Sequence, residues 1–267
     1  MGPILLGFQL ECLIENQMRL YRSLHGENAM VDNEGLRFSN YEFKFVNAVQ
    51  AGQEISVIIK ESQFISGANP VLSNRVSLKA DGKLAIAGFK RESRSRLATP
   101  KIDLAALGDL NQVKDRSFLA DSGFFLKRKY VTTSNAKNFL SSALAEQSDY
   151  IDEIGGRVLF PETFPCALLS SALLEKARLQ GHDFERAPMV YKSHKFCIDR
   201  DCLLQMRSND ALHLLLRQTD SVAQTPIYDC FGILGSNHLL FNARIDLMPL
   251  ANSALSRVPD SGFATSG

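Results

Sequence analysis

Arg75-Val-Ser-Leu-Lys-Ala-Asp-Gly-Lys-Leu-Ala-Ile-Ala-Gly88 decides how this chain folds. Val76 and Leu78 alternate with Ser77 and Lys79 up to Asp81-Gly82, and Leu84 and Ile86 alternate after it. Apolar side chains at every second position put one face of a strand against a core. Asp-Gly accepts the positive backbone angles of a two-residue reversal, so the two runs form a hairpin. Working outward, Tyr41, Phe43 and Phe45 alternate with Glu42 and Lys44, and Ile55, Val57 and Ile59 follow the turn Ala51-Gly52-Gln53. Residues 3–24 read as a helix. Pro3 suits its first turn, where no N–H is needed. Ile4, Leu5, Phe8, Cys12 and Leu13 share an apolar side that Gln9 and Glu11 interrupt, and Gly26 is the stop. The first third therefore predicts a helix followed by antiparallel strands.

Residues 90–123 break the pattern. Lys90, Arg91, Arg94, Arg96 and Lys101 crowd around Glu92, and Thr99-Pro100 interrupts any period, so this is read as a connecting segment with a short helix at 103–107. Beyond it the expected elements are a strand at 124–131 and a helix at 136–147 capped by Ser134 or Asn135. A Gly155-Gly156 turn comes next, then a long helix at 163–180 that ends at Gly181. Strands are expected at 190–199, 202–208, 211–218, 226–234 and 238–248. The last is the clearest: Leu239, Phe241, Ala243, Ile245 and Leu247 lie on one face. Residues 251–267 are small and polar and read as a loose tail.

The two halves repeat. Met1-Gly-Pro-Ile-Leu-Leu opens one helix and Phe164-Pro-Cys-Ala-Leu-Leu the other. The strands that follow, Ser39-Asn-Tyr-Glu-Phe-Lys-Phe and Ser193-His-Lys-Phe-Cys-Ile, share a texture. A repeat of this size is a duplicated domain rather than a solenoid. A long apolar helix followed by an alternating antiparallel sheet buries itself when the sheet curls around the helix.

This order of elements resembles the hot-dog superfamily of acyl-thioester hydratases, dehydratases and thioesterases, MaoC-like and FabZ/FabA-like. The matching residues are the helix openings Met1-Gly2-Pro3 and Phe164-Pro165-Cys166 and the hairpin 75–88. The likeness covers most of residues 1–90 and 124–248. It implies an α+β double hot-dog, with modules at 1–100 and 124–250, a connection at 101–123 and a tail at 251–267. In that family a strand precedes the central helix. Here the helix starts at once, so the first module is expected to lack that strand, to receive it from elsewhere, or to belong to a chain that extends before Met1.

Composition narrows the function classes. A net charge of +1 gives no field that calls for nucleic acid. The 5 cysteines form no CxxC pair, which argues against a disulfide scaffold or zinc site and for a reducing, cytoplasmic setting. No apolar run has the length of a membrane helix. Gly-rich phosphate loops, GxSxG and HExxH are missing, so neither a cofactor nor a metal is expected.

The resemblance implies an acyl thioester, linked to coenzyme A or an acyl-carrier protein, as the partner. It places hydration/dehydration ahead of thioester hydrolysis, with a non-catalytic acyl-binding or scaffold module as the rival. In such folds the thioester carbonyl sits near a central-helix N-terminus, where free N–H groups stabilise developing negative charge. Here that is Glu162-Thr163-Phe164-Pro165-Cys166, which makes Glu162, Thr163, Phe164 and Cys166 substrate-binding candidates.

Asp149 matches the hydratase aspartate by its place after the helix at 136–147, and Asp152 is its neighbour. The histidine expected a few residues on is missing from Asp149-Tyr-Ile-Asp152-Glu-Ile-Gly. The FabZ/FabA-like helix acid would fall near Phe8, Gln9 or Glu11, so Gln9 and Glu11 are further catalytic candidates. Arg128, in Lys127-Arg128-Lys129, is a candidate for a coenzyme phosphate or an acidic carrier surface. His25, His182, His194, His213 and His238 show no metal or triad spacing and read as surface or satisfied core residues. A chain with both modules already holds the dimer that single modules form, which leaves a monomer and a homodimer both open.

Overall fold

The computed structural model describes residues 5–97, 100–120, 122–222, 225–235 and 238–250. The first half comprises α1 (Gly7–Leu24), α2 (Glu27–Asn33), β1 (Phe38–Phe45), β2 (Ile55–Ile59), β3 (Gln63–Ile65), β4 (Val71–Ala80) and β5 (Lys83–Ser93). β6 (Ser117–Phe118), β7 (Phe125–Tyr130), α3 (Thr133–Ser142), β8 (Ile151–Asp152) and β9 (Arg157–Val158) follow. Then come α4 (Thr163–Ala167), α5 (Leu169–Leu179), β10 (Met189–Asp199), α6 (Arg200–Gln205), β11 (Ala211–Val222), β12 (Thr225–Leu234) and β13 (His238–Pro249).

The hairpin that opened the sequence argument is β4–β5. Asp81 and Gly82 both have positive φ, 48° and 74°, as a tight primed turn requires. Val76 pairs with Gly88 and Leu78 with Ile86. Among the described residues one 11-stranded antiparallel sheet runs β2-β4-β5-β1-β10-β13-β12-β11-β7-β6, with β3 on β4. The halves join at β1 and β10, where Tyr41 lies opposite Phe196 and Phe43 opposite His194. α1 and α4 pack against each other. Phe8, Cys12, Ile14 and Met18 of α1 are buried against Tyr41, Phe43, Phe196 and Phe241 of the sheet. Each fully buried side chain of this size contributes roughly 1.5–3 kcal/mol.

Several expectations are corrected. The run at 202–208 is the helix α6, because Asp199 caps it and accepts a hydrogen bond from the Cys202 N–H at 3.2 Å; the Cys202-Leu204-Met206 alternation imitated a strand. The helix at 136–147 is Thr133–Ser142, capped by Thr132 and closed before Leu144, whose φ is 55°. The long helix at 163–180 is two segments. Pro165 brings no N–H, and Leu168, with ψ −18°, makes a 3₁₀-like step between them. The basic stretch from 90 begins inside β5, so Lys90 is a core-facing strand residue rather than part of a loop. α1 is described from Gly7; residues 1–4, and the tail at 251–267, lie outside the described residues. Among the described residues no strand precedes α1.

Candidate functional site

α1 carries two carboxylates one turn apart, Glu11 and Glu15, on its buried side. Glu15 reaches the start of α4. It accepts from the Glu162 N–H at 2.8 Å, the Thr163 N–H at 2.9 Å and the Thr163 hydroxyl at 2.6 Å. The backbone donors predicted to meet a thioester carbonyl are thus held by a carboxylate from the other half.

Glu162 sits opposite, at the centre of a charged cluster. Lys90 donates to it at 2.8 Å, Ser39 at 2.9 Å, and the Tyr41 hydroxyl also donates to it. Arg200 stands 3.7 Å away. Lys90 also donates to Glu92 at 2.6 Å, and Glu92 is paired with Arg22. Arg22 is 5% exposed, Lys90 4% and Glu92 1%. Charges this deep persist only when paired, because removing an ion from water is costly.

The two glutamates hold their protons very differently. Burial, reinforced by the neighbouring Glu162 carboxylate, pushes Glu15 up to about 7 against the hydrogen bonds from Thr163 and the charge of Lys90. Burial also pushes Glu162 upward, but Lys90 and Arg200 outweigh it, together with the hydrogen bonds from Lys90 and Tyr41, and hold it at about 2. Glu92 is likewise held below the usual carboxylate range: burial opposes ionisation, and Lys90 and Arg22 overcome it.

Beside this cluster is a cavity of about 400 Å³, lined by Glu15, Arg19, Lys90, Asp149, Glu162 and Arg200 among others. Asp149 reaches it as the ion-pair partner of Arg19. A second cavity, of about 840 Å³, lies at the start of α1, walled by Leu6, Leu173, Phe184, Met189, Tyr228 and Leu247. Among the described residues no Asp, Glu, Lys or Arg lines it. On its wall the Ser170 and Tyr191 hydroxyls are 2.8 Å apart.

Glu162, Asp149 and, through Glu15, Thr163 therefore meet at the charged cavity. The other sequence candidates lie elsewhere. Phe164 is buried between Phe139 and Phe160, and Cys166 is buried, its thiol pushed far up by burial and by the Glu11 and Glu15 carboxylates. Glu11 meets His194 at 2.8 Å; the pair is 0% and 1% exposed, with Phe8 stacked on the imidazole. Burial raises the Glu11 carboxyl against the pull of His194. Gln9 accepts from the Leu6 N–H at the helix start, and Asp152 accepts from the Gly155 N–H in the β8–β9 turn.

Arg128 is on the opposite face of the sheet. It donates to the carbonyls of Leu110 and Val113 and to His213, and pins the connecting segment there. Among the described residues no cluster of three His, Cys, Asp or Glu side chains is arranged for a metal, and no helix is long and apolar enough to cross a membrane.

Sequence reasoning missed Glu15, Lys90, Glu92, Tyr41 and Tyr150. One signal was readable: Glu11 and Glu15 stand four apart on the same apolar helix face as Phe8 and Cys12, where an acid needs a partner.

With the geometry in hand, the chain can be set beside known proteins. No family model matches it, and no curated protein matches it. Solved structures do. A conserved hypothetical protein of Mycobacterium tuberculosis, described as having a double hotdog fold, superposes with a TM-score of 0.56 at 12% identity over 93% of this chain and 83% of that one. A MaoC-like dehydratase superposes with a TM-score of 0.52 at 9% identity over 90% and 83%. The class is therefore fixed by fold: this chain is a double hot-dog protein of the α+β class.

Proposed function

We propose that the charged cavity is the active site of an acyl-thioester hydratase/dehydratase, with Glu15 as the proton-transfer group. The observation that carries this is a buried carboxyl, Glu15, that reaches the start of α4 and lines the charged cavity together with Glu162; burial and Glu162 push it up to about 7, while Lys90 and Arg200 hold Glu162 at about 2. Environments that drive paired acids apart assign their roles: one moves protons near neutral pH and the other stays ionised. In hydration, water adds to the β-carbon of an enoyl thioester while the Glu15 carboxylate takes its proton and returns it to the α-carbon. Dehydration runs the same path backward and releases water. Glu162, locked by Lys90 and Tyr41, holds the Glu15 surroundings polar and fixed. A MaoC-like dehydratase among the structural neighbours supports this reading. Coenzyme A or an acyl-carrier protein would carry the thioester.

One observation favours a second reading, acyl binding without turnover. The N–H groups of Glu162 and Thr163 are already occupied by Glu15, so they are not free for an oxyanion. Incubation with crotonyl-CoA and longer enoyl thioesters separates the two. Loss of enoyl absorbance, reduced by Asp149→Asn at the cavity mouth, supports hydration. Tight binding with the ligand unchanged over hours supports the second reading. Failure to bind any acyl thioester sinks both.

A further inference from the structure

The charged cavity holds donors with unused capacity at Tyr150 and Arg19. Tyr150 is 5% exposed, and its hydroxyl lies beside Arg19 with no hydrogen bond of ordinary geometry to any described residue. The Nε of Arg19 is also buried without a partner, while its Nη2 serves Asp149 and Asn16. The two lie side by side, the Arg19 guanidinium 5.3 Å from the Tyr150 ring centre. Arg157 lines the same cavity. It donates to the Ser148 carbonyl at 2.6 Å, and among the described residues no carboxylate is within ion-pair distance of it. Buried donors are nearly always satisfied in folded proteins, and each exception calls for a cause.

Deeper in the cavity, Lys90 is engaged by both Glu92 and Glu162, whereas Arg22, paired with Glu92, keeps a buried Nε without a hydrogen-bond partner. Buried donors without an ordinary hydrogen bond thus run along the cavity from Arg22 to Arg19 and Tyr150, and Arg157 adds an exposed positive charge at the same cavity. Asp149 shares this region, but its charge is spent on Arg19 and its side chain is 37% exposed, which lets it turn to solvent. The volume of about 400 Å³ suits a short ligand.

We propose that Tyr150, Arg19 and Arg157 receive a carboxylate carried by the substrate, so that the charged cavity selects short acyl thioesters ending in a carboxylate over plain alkyl ones. This rests on the acyl-thioester reading of the same cavity. The geometry suits it: a carboxylate offers two acceptor oxygens, and arginine and tyrosine donors satisfy both without a metal. The same donors could take a phosphate, which coenzyme A itself carries, so the comparison must hold the carrier constant and also remove it.

The test is binding to the full chain of succinyl and butyryl thioesters, each on coenzyme A and on phosphate-free pantetheine, with free succinate alongside. The expected result is at least tenfold tighter binding of succinyl than butyryl on both carriers. Tyr150→Phe should cut that preference at least threefold without altering butyryl affinity. Its unfolding temperature should stay close to that of the wild type, because no hydrogen bond of ordinary geometry is lost. Equal affinity, or tighter butyryl, overturns the proposal and leaves the acyl-thioester reading standing. Binding of free succinate with no thioester bound keeps the carboxylate site and removes the thioester reading. No binding of any probe removes both.

Discussion

The cavity beside Glu162 and the cavity beside Leu6 stand at corresponding places in the two repeats, each at the residue that precedes a central helix, yet they have opposite chemistry. One is small and lined by paired charges. The other is twice as large and, among the described residues, is lined by no Asp, Glu, Lys or Arg side chain. The fold supplies a hollow at each helix start; the side chains decide what it can do. Lys90, Glu92 and Tyr41 of the first half reach the α4 start, whereas Phe8, Phe45 and Tyr191 crowd the α1 start. The two cavities thus differ in the charged side chains that line them.

This contrast can be broken most severely at the charged side. Lys90→Met strips a shared partner from two buried carboxylates and should cost about 3–5 kcal/mol by chemical denaturation. The matching change in the apolar cavity, Tyr191→Phe, removes one hydrogen bond to Ser170 and should cost about 1 kcal/mol. Similar losses at both would erase the distinction.

The sheet offers the next comparison. A Cβ at Gly88 would lie 1.9 Å from the Glu42 backbone oxygen, and one at Gly232 would lie 2.1 Å from the Phe241 ring. Backbone in the β1–β5 pairing cannot turn aside, whereas a ring has some freedom. Gly88→Ala should therefore lower the unfolding temperature more than Gly232→Ala. The reverse order would mean that the second half is the more tightly built.

The smallest effect sharpens the charge assignment itself. Glu15 has a raised pKa, so its contribution favours folding at low pH and is lost as pH rises from about 4.5 to about 7. Glu162 has a lowered one, so its contribution is present above about 4.5 and is lost as pH falls toward about 2. Stability measured against pH should show these opposite slopes. Glu15→Gln should flatten only the upper one.

The fold was legible because its strands alternate cleanly and because Asp81-Gly82 names its own turn. Where periodicity misled, local chemistry won: the Asp199 cap turned an apparent strand into α6, and the Leu168 step divided the second helix. The candidate site was legible in part. Glu162 and Thr163 were read from their place at a helix start, and Asp149 from its place after the helix expected at 136–147. Glu15, Lys90 and Tyr41 were not, because they come from the other half of the chain and meet that start only in three dimensions. Nor does local spacing connect Glu11 to His194, which are 183 residues apart.

The central claim is that Glu15 moves the proton at the charged cavity. The rate of hydration of a short enoyl thioester, followed against pH, tests it most directly. Wild-type activity should rise with pH through a midpoint near 7, where the Glu15 carboxyl ionises. Glu15→Gln should bind the thioester and lose about 100-fold or more in turnover, with the pH step gone. Unchanged turnover and an unchanged pH step in Glu15→Gln would contradict the account.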